Sequence, residues 1–341
     1  MTRVLHILPH VDRAHTGKQA NALIAALQSI AVDAYGCQFG HPLRWHLGQW
    51  EVLRDQIRWS EPDVIHSWLP SDDWFGLGLL TRFQIPVVAT WREVEHWPQG
   101  WLTRQASRRA ARIVVPTRGI ATAYQQRGID AERLVVIPEW VDTSTTIERH
   151  DATSQAGSQF RLRHGLPPHA RIVIAMGRWR WEDAWKDLIW TADLLKHIRS
   201  DVFVILFSHG EQTTALRRYR DQAEIRDRVW LRASDELPEW LPHAEIAWSM
   251  RREPGVSVDL QRAWQQGVNV VATETPCHVE FFRNNSNVLF VPPGDRSALL
   301  RQTVKLLGDE TLAAGLREPS RLQSAAVDIA RQYTELYDHI T

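Results

Sequence analysis

Val4-Leu5-His6-Ile7-Leu8, stopped by Pro9, is an apolar run short enough for a strand and apolar enough to be covered on both faces. After the loop His10–Gly17, the stretch Lys18–Ser29 places Ala22, Leu23, Ala26 and Leu27 on one side of a helix. A buried strand followed by an amphipathic helix is half of a parallel crossover unit, and the rest of the chain repeats it. Strands are predicted at Val64–Trp68, Val87–Thr90, Ile113–Pro116 and Leu134–Ile137, with helices at Trp74–Arg82, Leu102–Ala111 and Arg118–Arg127. From Asp142 to Gly165 the pattern stops in a Thr-, Ser-, Gln- and Gly-rich segment, which reads as a linker or surface loop.

The alternation then restarts. Ile172–Met176, Val202–Phe207, Val229–Leu231, Ile246–Ser249, Val270–Thr273 and Val288–Val291 read as strands. Asp187–Ile198, Thr213–Glu224, Val258–Gln266 and Arg296–Leu307 read as helices, and Arg321–Ile340 as a long terminal one. Parallel strands need crossover helices, so two such runs predict an α/β chain of two Rossmann-like parallel-sheet domains facing across a cleft. Ligands of such sheets sit in the crevice at the carboxyl ends of the strands.

Composition agrees with this and excludes several classes. At 341 residues the chain has room for two domains, with 44% hydrophobic and 23% charged residues. Lys+Arg and Asp+Glu are both 40, so no global basic field points to nucleic acid. Cys37 and Cys277 lie too far apart in sequence to suggest a disulfide framework or a Cys-based zinc site. No secretory h-region or membrane span is legible, and the expected location is the cytoplasm. The 17 tryptophans outnumber Phe and Tyr together; their flat faces suit sugar rings, although most should fill cores.

Common catalytic signatures are missing. Gly17-Lys18 is followed by Gln19, and no Gly precedes it at the Walker A spacing. There is no G-x-G-x-x-G after the first strand, no nucleophile elbow and no H-E-x-x-H. What survives is a set of residues at strand ends and helix starts. Gly17 and Lys18 open the first helix, where a glycine admits close approach and the helix N-terminus favours negative charge; a plain helix start is the other reading. Gly177-Arg178 follows the strand Ile172–Met176, and Arg offers fixed donors for phosphate. Glu253-Pro254-Gly255 is a turn before a helix, whose carboxylate could orient sugar hydroxyls or cap the helix.

In order and spacing, these stretches resemble the retaining GT-B glycosyltransferases of the "glycosyl transferases group 1" kind, glycosyltransferase family 4. The resemblance runs over nearly the whole chain. Val4–Pro9 with Thr16–Gln19 is similar to the family's first strand and Gly loop, and Pro62-Asp63-Val64-Ile65-His66-Ser67-Trp68 to its "PDvvHsh" strand. Arg112–Thr117 and Arg133–Asp142 resemble its "riva.S" and "k..VIpNGvD" stretches. Met176-Gly177-Arg178, Glu253-Pro254-Gly255, Gly267–Thr273 and Val291–Asp295 follow in the family's order.

The resemblance implies residues 1–150 as an acceptor-side domain, 160–320 as a nucleotide-sugar donor domain, and 321–341 as a helix returning to the first. It implies transfer of a sugar from a nucleotide-diphosphate sugar to an acceptor, with retention at the anomeric carbon. Neither a cofactor nor a metal is implied, and the enzyme would associate at most peripherally with the inner membrane face. Arg178, Glu253 and Lys186 are the implied catalytic residues. Gly17, Lys18, His66, Trp91, Gly177 and Arg262 are the implied substrate contacts. The chain departs from the family's pattern at several of these places. Asp183 or Ala184 stands where a lysine is expected, with Lys186 slightly late, and Arg262-Ala263-Trp264 replaces Glu-Ala-Met. An arginine cannot accept from ribose hydroxyls as a carboxylate does. Trp91 replaces a histidine, and Glu139-Trp140 replaces Asn-Gly. These departures equally fit a non-catalytic GT-B-like protein that binds a sugar, a nucleotide or a partner enzyme, and a GT-B sugar epimerase shares the fold.

Overall fold

The computed structural model describes residues 2–9, 14–39, 47–69, 80–92, 94, 107–139, 150, 154–178, 184–209, 213–252, 255–282, 288–316 and 326–341. The chain divides into two compact units, Met1–Asp142 with Leu322–Thr341, and Thr143–Arg321.

The first unit is a six-stranded parallel sheet. Its strands are β1 (Arg3–Pro9), β2 (Asp33–Phe39), β3 (Val64–Ser67), β4 (Val87–Thr90), β5 (Arg112–Val115) and β6 (Leu134–Val136), in the order β2-β1-β3-β4-β5-β6. Helix α1 (Ala14–Ser29) begins one turn earlier than its apolar periodicity predicts. Two elements were not legible in the sequence. β2 carries polar residues and Gly36, where a Cβ would lie 3.2 Å from Ile24 Cδ1, a close approach that a side chain there would tighten. Among the described side chains of helix α2 (Leu47–Ser60), Leu53, Ile57 and Ser60 are buried. Helix α3 (Arg118–Gln126) starts at Thr117, whose side chain accepts from the Ile120 amide at 3.2 Å. The predicted helices Trp74–Arg82 and Leu102–Ala111 begin outside the described residues.

The second unit has strands β7 (Arg171–Arg178), β8 (Val202–His209), β9 (Val229–Ala233), β10 (Ile246–Ser249), β11 (Asn269–Thr273) and β12 (Val288–Val291), ordered β12-β11-β10-β7-β8-β9, all parallel. The sequence region expected to be a linker contains helix α4 (Gln155–Arg163), which corrects that reading. Ser154 caps it by accepting from the Gly157 amide at 3.0 Å, and Phe160 and Arg161 are buried. Arg161 donates to the carbonyls of Ala170 and Gly157 at 2.9 and 3.1 Å, so its charge is held by backbone acceptors. A helix with two charged residues and one aromatic shows no apolar period, which is why the pattern stops there.

The remaining helices are α5 (Trp185–Ile198), α6 (Thr213–Gln222), α7 (Leu237–Trp240), α8 (Val258–Gln265), α9 (Pro276–Phe282), α10 (Arg296–Gly308), α11 (Glu310–Leu316) and α12 (Ala326–Asp338). The second core joins Val173 and Ala175 of β7, Val204 and Leu206 of β8, Leu188, Ile189 and Leu195 of α5, and Leu299 and Leu306 of α10. Trp248 is wholly buried within it and its indole N–H donates to Thr303 Oγ1 at 2.8 Å. Among the described residues no helix is long and apolar enough to cross a membrane.

Helix α12, from the far end of the chain, belongs to the first unit's core. Ile329, Ala330, Tyr333, Leu336 and Tyr337 pack with Ala20, Leu23 and Leu27 of α1 and with Val64, Val88 and Val114 of the sheet. Beneath them lies a buried polar chain. Tyr337 Oη is 2.6 Å from His66 Nδ1, His66 Nε2 is 2.7 Å from Thr90 Oγ1, and the Trp68 indole N–H donates to His6 Nδ1 at 3.1 Å. Burial holds both imidazoles neutral: His6 is pushed down to about 3, and His66 lies well below the usual histidine range, with the neighbouring His6 adding to the effect.

This arrangement has a pH consequence. The unfolded histidines take up a proton near 6.5 and the folded ones do not, so protons favour the unfolded chain below that value. These histidines should add no pH dependence above about pH 7, and below it each should lower stability by roughly 1.4 kcal/mol per pH unit. For His6 the loss at pH 5 is about 2 kcal/mol. Melting temperatures at pH 7.5 and 5.0 measure it. A His6→Leu variant should lose less on acidification, and an unchanged slope would exclude His6 as a source.

Candidate functional site

The second unit's sheet order reverses between β7 and β10: from β7 the chain moves outward through β8 and β9, then returns to build β10, β11 and β12 on the other side. Crossovers diverge at such a point and leave a crevice at the carboxyl ends of the two strands. In register, Ile246, Ala247 and Trp248 lie beside Val173, Ile174 and Ala175. The ends of β7 (Gly177-Arg178) and the residues after β10 (Met250-Arg251-Arg252) therefore come out side by side at the crevice.

Gly177 has φ +154°, a region that L side chains rarely adopt, and a Cβ there would meet nothing. Backbone conformation, not space, calls for glycine. Gly255, at φ +139°, adds a steric reason, because a Cβ would lie 3.3 Å from the Arg251 guanidinium. Arg178 is the last residue of β7, paired with His209, and its side chain lies outside the described residues. Glu253 lies outside them altogether.

Helix α5 starts just after the β7 loop. Ala184 at its N-cap offers no side-chain acceptor, so the first turn presents amide donors without a side-chain cap. Asp187 in that turn accepts from Arg252 at 2.9 Å and lies 4.0 Å from Arg296, whose guanidinium sits 4.5 Å from the Trp190 ring centroid. The result is an arginine-rich rim, with one carboxylate orienting two guanidinium groups. Lys186 is not brought to this group by any described contact. It is exposed, with its ammonium 5.4 Å from the Trp185 ring and 5.9 Å from that of Tyr219.

Arg262 lies on α8, half-buried, 3.8 Å from Asp259 one turn earlier. Ser257 caps that helix through the Leu260 amide at 3.2 Å. Trp264 turns into the core against Phe281 and Phe282, edge to face.

In the first unit, Gly17 falls inside the opening turn of α1, and a Cβ on it would meet open space. The side chain of Lys18 lies outside the described residues. Two expected substrate contacts are corrected. His66 is fully buried with both ring nitrogens engaged, by Tyr337 and Thr90, so it has no atom left for a substrate. Trp91 is 3% exposed, its ring 5.1 Å from that of Tyr124, and its amide donates to the Val114 carbonyl at 2.8 Å. It extends the sheet's core and is not a flat surface open to a sugar.

Beside Trp91 lies a feature that sequence reasoning missed. Arg92 grips Glu139 through Nε and Nη2, the latter at 3.0 Å to Oε2, with both side chains mostly buried. Arg92 Nη1 also reaches Thr16 Oγ1 at 3.4 Å. One of the departures noted in the sequence, Glu139, is thus ion-paired with the residue that follows another, Trp91. Their sequence separation hides it, and the replaced Asn at 139 was the only signal available.

Residues 11–145 match the family model described as Glycosyltransferase Family 4, and residues 170–309 match that described as Glycosyl transferases group 1. The chain is 23% identical over 269 residues to the lipopolysaccharide core biosynthesis glycosyltransferase LpsE of Rhizobium meliloti, covering 78% of this chain and 72% of that protein. It is 25% identical over 320 residues to the D-inositol 3-phosphate glycosyltransferase of Xylanimonas cellulosilytica, covering 83% and 76%. The fold matches Anabaena HepE, solved in complex with UDP and glucose, with a TM-score of 0.76 at 17% identity over 99% of this chain and 100% of that one. With two parallel-sheet units each matched by a transferase family model, this chain is a GT-B glycosyltransferase, its first half of the Family 4 kind and its second of the group 1 kind.

Proposed function

We propose that this enzyme transfers a sugar from a nucleotide-diphosphate donor to an acceptor hydroxyl with retention of anomeric configuration. The donor is held by the second unit and the acceptor by the first. The observation that carries this reading is the β7/β10 crevice, where Arg178 closes one strand and Arg251-Arg252 follow the other, beside a helix start without a side-chain cap. Arginine donors and a helix N-terminus stabilise the charge that develops on a leaving diphosphate. HepE, bound to UDP and glucose, supports the choice of UDP as first probe. Glu253 would orient the donor sugar, and Arg262, with no acceptor to offer ribose, would meet phosphate or stay with Asp259. A cytoplasmic enzyme working at the inner membrane face fits a soluble nucleotide donor.

Calorimetry with UDP tests the donor half. Arg178→Ala should weaken binding by a charge-assisted contact, about 1.5–3 kcal/mol or roughly 10- to 150-fold. Equal affinity in variant and parent would remove Arg178 from the site. The anomeric coupling of the product, read by NMR, tests retention: an inverted product from an α-linked donor would overturn it.

A further inference from the structure

Helix α2 packs on β1 and β2, at the β2 edge of the first sheet. Leu53, Ile57 and Ser60 are its buried side, and the opposite side carries two exposed stripes. Val52 is 64% exposed and Trp59 is 73% exposed. Seven residues apart, they stand about 20° from each other around the helix and form one apolar stripe. Tyr35 of β2 flanks it, half-buried, with its ring edge-on to the Trp59 indole at 6.1 Å. Glu51 and Arg58, also seven apart and both exposed, form a charged stripe roughly 100° away. Asp55 lies between the two stripes, 3.4 Å from Arg54.

Tryptophan is among the side chains that most often anchor a protein contact, and this face is arranged so that it complements itself. In a two-fold pair with the helices antiparallel, each stripe meets its own copy running the other way. Val52 then stands opposite the partner's Trp59, and Glu51 opposite the partner's Arg58. Parallel helices would instead set glutamate against glutamate and arginine against arginine, which is repulsive. The charge pattern therefore selects one direction. The same face suits a lipid surface badly. Glu51 and Asp55 balance Arg54 and Arg58, so anionic lipid gains no net attraction, and insertion would strip water from two carboxylates.

We propose that the outer face of α2 binds a second copy of this chain, in an antiparallel two-fold pairing of α2 with α2. Trp59 is the apolar anchor, while Glu51 and Arg58 set the direction. The 14-residue helix is about 21 Å long, and a contact of that length falls short of the roughly 800 Å² per partner of a tight complex. The pairing is therefore reversible and depends on concentration. It stands apart from the donor and acceptor assignments, because it uses none of their residues.

Sedimentation equilibrium on the full chain is the test. Over roughly 1–300 μM the average mass should rise from 39.3 kDa towards twice that value. Trp59→Ser should weaken association at least about tenfold, as loss of an interface anchor does. Arg58→Glu sets like charges opposite each other and should weaken it by about tenfold as well. Glu51→Arg combined with Arg58→Glu exchanges the two charges and should bring association back to within about threefold of the parent. All three side chains are exposed, so melting temperatures should stay within about 2 °C of the parent, which separates lost pairing from a folding defect. Flotation with vesicles of phosphatidylglycerol and phosphatidylethanolamine probes the lipid alternative, and vesicle binding abolished by Trp59→Ser would give the face to a membrane and overturn the proposal. A chain that stays monomeric over the whole range would overturn it too. So would association that ignores Trp59→Ser, or a charge exchange that fails to restore pairing.

Discussion

Ending the chain before Ala326 should prevent residues 1–142 from folding, although α12 is only 13 residues long. Ile329, Tyr333, Leu336 and Tyr337 are buried in the first unit's core. At about 1.5–3 kcal/mol for each buried side chain, their removal costs on the order of 6–12 kcal/mol. Whole-domain stability is only about 5–15 kcal/mol. Deletion also removes the partner of His66 Nδ1 and opens α1 to water. Hydrogen exchange on the truncated chain should show lost protection across β1, β3 and β4, with protection kept across β7, β8 and β10. Retained protection in β1 would show that the sheet does not need α12.

The second large effect concerns Arg92 and Glu139. Their side chains are 14% and 11% exposed, so removing one partner strands a charge in a mostly dry setting. Arg92→Met should destabilise the protein by about 3–5 kcal/mol, and the double variant Arg92→Met with Glu139→Leu should recover most of that loss. The asymmetry arises because an unpaired buried charge costs more than replacing the whole pair by apolar groups. Denaturant titration of both single variants and the double variant measures the coupling. If the double variant is no more stable than Arg92→Met, the pair is not the source of the loss.

The recurring strand and helix periods specified two parallel α/β sheets, because a continuous apolar run followed by a 3.6-residue stripe has few other ways to bury itself. The elements missed are those whose burial does not follow a simple period. β2 places Gly36 beside Ile24 and Leu8, α2 buries Leu53 and Ile57 among exposed polar neighbours, and α4 buries an arginine on backbone carbonyls. No residue-by-residue reading of hydrophobicity registers those devices.

The site divides in the same way. Residues adjacent in sequence to a strand end, such as Gly177-Arg178, could be placed at the crevice from the sequence, since strand direction alone sends them there. Whether a side chain faces a ligand or the core depends on neighbours far away in the chain. His66 and Trp91 sit near strand ends too, yet Tyr337 and Tyr124 bury them. Arg92 and Glu139, 47 residues apart, gain their meaning only as a pair. The sequence by itself determined the two sheets and the strand ends that chemistry can use, because local periodicity encodes burial on a face. Only the tertiary structure decided which polar groups are engaged and which are left for a ligand, because hydrogen-bond and ion-pair partners are matched in space without regard to distance along the chain.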